Sequence, residues 1–126
     1  METRPPKPVI WVGSSHKDLL AFPRAVQRDV GRALLYAQLG GKHPDAAPLK
    51  GFGGAGVLEI VERTESATYR AVYTVRLAGR VYVLHAFQKK STKGIATPKH
   101  ELELIRARLK AAQELHRQLE DEGGMQ

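Results

Sequence analysis

The residues best suited to chemistry gather between positions 66 and 100, where Arg70, Arg76, Arg80, Lys89, Lys90, Lys93 and Lys99 stand with Tyr73 and His85 and without a single carboxylate. Those seven cations match the excess of the whole chain, 20 Lys and Arg against 13 Asp and Glu, a formal net charge of +7. A surface that collects cations and excludes acids has little to offer a divalent metal, but it suits a polyanion, because phosphates are held by Lys and Arg. Nucleic acid is the first expectation, with no metal and no cofactor. His85 titrates nearest neutrality and is the natural proton carrier, although a strand histidine is often simply packed and hydrogen-bonded. The absence of cysteine removes disulfides, thiolate metal sites and a cysteine nucleophile together.

The elements that must position these groups can be read from periodicity. Residues 1–7 form a loose lead-in, and Pro8 to Val12 offers a short strand stopped by Gly13. Ser15 and Asp18 resemble a capping box opening a short helix, His16 to Phe22, and a second helix from Pro23 to Leu39 repeats Val26, Val30, Leu34 and Ala37 at helical spacing. Residues 40–56 hold six glycines and two prolines and read as a long loop carrying Lys42, His43 and Lys50. Three strands follow, Val57 to Arg63, Thr68 to Leu77 and Arg80 to Lys89, and their short connections make an antiparallel meander. Alternation places Arg70, Val72, Thr74 and Arg76 on one face and Tyr69, Ala71, Tyr73, Val75 and Leu77 on the other. In the last strand it puts Val81, Val83, His85, Phe87 and Lys89 on one side. Glu59, Glu62 and Glu65 read as ordinary surface acids.

A basic loop from Lys89 to Pro98 leads into a helix from Pro98 to about Glu122, with Thr97 as cap. Leu102, Ile105, Leu109, Ala112, His116 and Leu119 form its apolar stripe. With five Lys or Arg against six Asp or Glu, that helix reads as packing and partner contact, not as the polyanion site. The expected fold is α+β: a small antiparallel sheet with a mixed edge, an N-terminal helical hairpin and a C-terminal helix, in one domain over residues 1–126 with ends 1–7 and 123–126 disordered. No run approaches ~18 apolar residues and the N-terminus lacks an apolar segment, so a soluble, cytoplasmic protein without membrane contact is expected.

The order of these elements, with LKGFGGAGVLEI, YRAVYTV, VYVLHAFQKKSTKG and TPKHELELIRARL, resembles the RelE/ParE toxins over roughly residues 8–112, and most closely a phage-derived, HigB-like branch. The resemblance implies a toxin of a two-component toxin–antitoxin module that enters the ribosomal A site and cuts messenger RNA without a metal. It also implies an antitoxin partner, often of helix-turn-helix type. Arg70 then takes the place of a mid-sheet arginine on the scissile phosphate, and Lys89 or Lys90 that of a basic residue ending the last strand. His85 and Tyr73 are further catalytic candidates, and Arg76, Lys93, Lys50 and Lys99 are RNA-binding candidates. A C-terminal tyrosine used by better-known RNA cutters of the family has no counterpart after Tyr82.

Two other functions share the fold. ParE-type relatives inhibit DNA gyrase without cutting RNA, and an inactive phage relic would only bind RNA or its antitoxin. The cationic grouping favours RNA chemistry over gyrase inhibition, because a gyrase inhibitor needs no phosphate cradle.

Overall fold

The computed structural model describes residues 5–89 and 97–124. Its framework is a five-stranded sheet in the order β1-β5-β4-β3-β2, with β1 at Val9–Trp11, β2 at Ala46–Pro48, β3 at Val57–Arg63, β4 at Thr68–Thr74 and β5 at Val81–Lys89. β3, β4 and β5 form the expected antiparallel meander, while β1 adds to β5 in parallel, Val9 beside Val81, giving the mixed edge.

Both faces of this sheet are covered by helices. Helix α1 (Ser15–Leu20) and α2 (Arg24–Gln38) close one face, burying Leu19, Phe22, Val26, Val30, Ala33, Leu34 and Ala37 against Ile60, Tyr69, Ala71, Tyr73 and Val83. The helical stripe read in α2 is therefore the core-facing one. Helix α3 (Lys99–Gly124) lies on the opposite face, where Ile105, Ala112, Leu102 and Leu109 pack on Val57, Val72, Tyr82 and Leu84. Every residue of β4 is buried as a result.

Three local expectations change. Ser14, not Ser15, precedes α1: its hydroxyl donates to the Asp18 carboxylate at 2.7 Å, while Ser15 is fully buried and donates to the carbonyl of Val83 at 3.0 Å. The glycine-rich segment is not wholly irregular. Its Ala46–Pro48 pairs antiparallel with β3 as an edge strand, a position where proline is tolerated because its missing N–H can face outward. The middle strand also stops at Thr74, three residues before the expected end, although Val75 still donates to the carbonyl of Gly56 at 2.9 Å.

A β-bulge settles which side chains share the α3 face. Val72 pairs with His85 and Tyr73 with Val83, so Leu84 is the extra residue and the alternation of β5 shifts there. Val81 and Val83 pack toward α1 and α2, while His85 and Phe87, expected on that same side, turn toward α3 with Tyr82 and Leu84. Opposed residues of antiparallel strands point the same way, so Phe87 across from Arg70 and Lys89 across from Thr68 lie on Arg70's face.

Candidate functional site

Glu59 sits on β3 between Leu58 and Ile60, which enter the core beneath α2, so its side chain must point to the α3 face. Arg70 on the neighbouring strand points the same way and donates from Nη1 to Glu59 Oε2 at 3.0 Å. Arg70 is only 2% exposed. The mid-sheet arginine expected on the scissile phosphate is a buried guanidinium with a carboxylate partner, and Glu59, read as a surface acid, is that partner. An ion pair so deep is sensitive to loss of either member, because the survivor becomes a buried charge without compensation.

Above this pair, the first turns of α3 and the segment after β2 leave a groove of about 440 Å³ lined by Leu49, Lys50, Gly51, Glu59, Thr97, Leu102 and Arg106. Arg106 reaches across it, its guanidinium 5.1 Å from the centre of the Phe52 ring, a cation–π distance. It also passes close over Gly51, where an added Cβ would meet Nη2 at 3.3 Å. Lys50 is exposed at the rim. Among the described residues neither Lys50 nor Arg106 forms an ion pair, so the groove presents two available cations, a carboxylate and apolar walls from Leu49 and Leu102.

His85 lies deeper, 5% exposed, and both ring nitrogens are engaged. Arg108 Nη1 stands 3.2 Å from Nδ1, and Glu101 Oε2 stands 2.5 Å from Nε2. A guanidinium can only donate, so Nδ1 is the acceptor and the proton resides on Nε2, donated to Glu101. The neutral tautomer agrees with the direction of its pKa. Burial pushes it below the ordinary histidine value, the Glu101 contact opposes that, and the Arg108 charge adds to the lowering. Arg108 further donates to the Leu84 carbonyl at 3.0 Å and to Ser14 Oγ at 3.1 Å, tying α3, β5 and the start of α1 together. His85 therefore serves as the centre of a helix-docking network, with no ring nitrogen turned to the groove.

The other sequence candidates are scattered. Tyr73 is fully buried on the opposite face of the sheet, in the core against α2, and loss of hydration pushes its hydroxyl up to about 12. It is not brought together with Arg70 or His85. Arg76 is exposed on the turn after β4, its stem lying against Gly56. Lys99 is exposed at the first residue of α3, and Lys89 is half-buried at the end of β5. Lys90 and Lys93 lie outside the described residues. Arg80, counted among the localised cations, is paired with Glu120 of α3 at 2.8 Å.

Sequence reasoning missed Glu59, Arg106 and Arg108. Strand pairing could have found Glu59, since alternation in β3 sets it across from Val72 on Arg70's face. Nothing in the helical pattern of α3 distinguishes Arg106 from the other polar residues of that helix. Among the described residues no group of three or more His, Asp or Glu is placed to hold a metal ion, and no helix is long and apolar enough to cross a membrane.

The sequence model of a family described as phage derived protein Gp49-like (DUF891) matches residues 17–110, a span from α1 to the middle of α3 that contains both the groove and the His85 network. A search of curated proteins gives no match. Among solved structures, one chain of the toxin–antitoxin complex RelBE2 from Mycobacterium tuberculosis aligns with a TM-score of 0.44 at 18% identity, covering 68% of this chain and 94% of that one.

Proposed function

The chain belongs to the phage-derived Gp49-like family, and from that premise we propose that it is the toxin of a two-component toxin–antitoxin module and acts as a metal-independent endoribonuclease on messenger RNA at the ribosomal A site. The resemblance of its strand and loop motifs to RelE/ParE toxins of the HigB-like kind supports the toxin reading. The observation that carries RNA as the substrate is the groove at the head of α3, where Lys50 and Arg106, both without an acidic partner among the described residues, flank Glu59.

RNA supplies its own nucleophile. The 2′-hydroxyl attacks the adjacent phosphorus, the bond to the 5′-oxygen breaks, and a 2′,3′-cyclic phosphate forms. Three tasks remain for the protein: accepting the 2′-hydroxyl proton, stabilising charge on the phosphate and giving a proton to the leaving oxygen. In this proposal Glu59 is the proton acceptor, held in orientation by Arg70 beneath it. Arg106 and Lys50 hold the non-bridging phosphate oxygens, and the Lys50 ammonium is the proton donor. Arg70 acts through Glu59, so it is a positioning residue. Lys89, on the same face at the sheet's end, extends the cationic path, with Lys99 at the helix start, and Arg76 contributes to the field at longer range. A small antitoxin keeps the groove silent until it is removed.

Induction of the chain alone in cells, with growth as the readout, tests this. Arg106→Ala and Lys50→Ala alter exposed side chains and leave the core intact, so the folded proteins are expected to lose toxicity. Each removes a cationic donor to the phosphate, a loss of up to about 3 kcal/mol, roughly a hundredfold in rate. Lys110→Ala, exposed further along α3, is expected to remain toxic. Full toxicity of both groove variants would remove the groove from the mechanism.

A further inference from the structure

Helix α2 presents to solvent a stripe of basic and apolar side chains. Its inward side is fully used by the core, yet its outward side carries Arg24, Arg28 and Arg32 at four-residue spacing, followed by Leu35, Tyr36 and Leu39. Residues four apart lie above one another on a helix, so the three arginines form one row. The apolar residues continue it, with Leu35 and Tyr36 each 46% exposed and Leu39 62% exposed. Tyr36 is steadied edge-on by His43 at 5.1 Å. Beyond Leu39 the stripe opens into a hollow bounded by Pro5, Pro6, Pro8 and Gly79, fixed to the helix end by paired hydrogen bonds between Lys7 and Gln38, at 2.9 and 2.8 Å. The only acid in α2 is Asp29, which pairs with Arg32 at 3.5 Å and leaves the stripe net positive.

We propose that this face is a docking surface for a protein partner that presents an acidic amphipathic helix, with carboxylates for the arginine row and apolar side chains for Leu35, Tyr36, Leu39 and the proline-walled hollow. The stripe from Arg24 to Leu39 is about 22 Å long at 1.5 Å per residue, so about four turns of a partner helix cover it. Helix-in-groove recognition uses this combination of periodic apolar anchors and flanking charge complementarity. A second copy of the chain is disfavoured, because the helix offers a partner's arginine row a single carboxylate, Asp29, which Arg32 of its own helix already holds. RNA is disfavoured as well: phosphates match the arginines, but a polyanion gains nothing from three exposed apolar side chains and a proline-lined hollow. The surface lies on the helix layer opposite the α3 groove, so the proposal stands independently of the RNA-cleaving reading.

Selection of peptides from a displayed library of randomised helices against the full-length chain tests it. The expected winners carry Asp or Glu at four-residue spacing next to Leu, Ile or Phe. A winning peptide is expected to lose affinity by about tenfold or more on Arg28→Glu or Leu39→Asp. Both positions are exposed, so the fold, checked by circular dichroism, is unaffected. Arg106→Ala is expected to leave the affinity unchanged. Failure to enrich such peptides, enrichment without the acidic-apolar pattern, or indifference of the winners to both α2 variants would overturn the proposal. So would an RNA oligonucleotide whose binding falls on Arg28→Glu while peptide binding does not.

Discussion

A buried arginine can matter to activity through the fold as much as through the substrate, and Arg70 is such a case. With 2% of its surface exposed and its charge met by Glu59, Arg70→Ala is expected to destabilise the protein by about 3–5 kcal/mol, because Glu59 is left without its partner in the interior. Denaturant titration reads this directly. Glu59→Gln is expected to destabilise in the same way, and the pair Arg70→Met with Glu59→Leu to be less destabilised than either single variant. Tyr73 makes the opposite case. Its hydroxyl is buried with no hydrogen-bond partner among the described residues, so Tyr73→Phe is expected to leave stability unchanged or slightly raised, and to leave activity intact. His85 bears on pH. Its folded pKa is lowered by burial, so below an unfolded value near 6.5 the unfolded chain binds a proton that the folded chain refuses. That contribution to stability is complete above about pH 6.5 and falls as the pH drops toward the folded value, at up to about 1.4 kcal/mol per pH unit. His85→Gln is expected to flatten this part of the stability–pH curve.

The docking of α3 onto the sheet depends on a turn that only glycine fills comfortably. Gly13 has a φ of +58°, and a Cβ there would stand 2.8 Å from Arg108 Nε, the residue that links α3 to His85, Leu84 and Ser14. Gly13→Ala is expected to cost about 1–2 kcal/mol from backbone strain and to loosen the head of α3, which hydrogen exchange along Glu101 to Arg108 would register. At this scale most of the architecture was legible. Period-2 alternation located the meander, and period-3.6 stripes located α2 and α3, because both signals come from which residues are buried. Two features were not. Ala46–Pro48 is too short and too proline-bound to show a period, and the bulge at Leu84 is a property of how β5 pairs with β4. Without that bulge, plain alternation grouped His85 and Phe87 with Val81 and Val83, from which the fold separates them.

Across the whole molecule, the carboxylate-free stretch does not make a carboxylate-free surface. Arg70, Arg80 and His85 find Glu59, Glu120 and Glu101 on elements before and after it, since long-range folding, and not local composition, decides neighbours. What the sequence conveyed correctly was a chain with a large cationic excess. What it could not convey was that Lys50, a binding candidate in the glycine-rich segment, shares its groove with Arg106 of α3, a helix read as packing. An RNA complex is expected to weaken with salt in proportion to the phosphates neutralised, and Arg106→Ala to reduce the slope of log affinity against log salt by about one. The central claim is cleavage itself, and primer extension on a reporter message after induction of the chain alone measures it most directly. Reproducible cleavage sites with the wild-type chain, lost with folded Arg106→Ala while plasmid supercoiling stays unchanged, are expected. An intact message in growth-arrested cells, with altered supercoiling, would contradict it and favour inhibition of DNA gyrase.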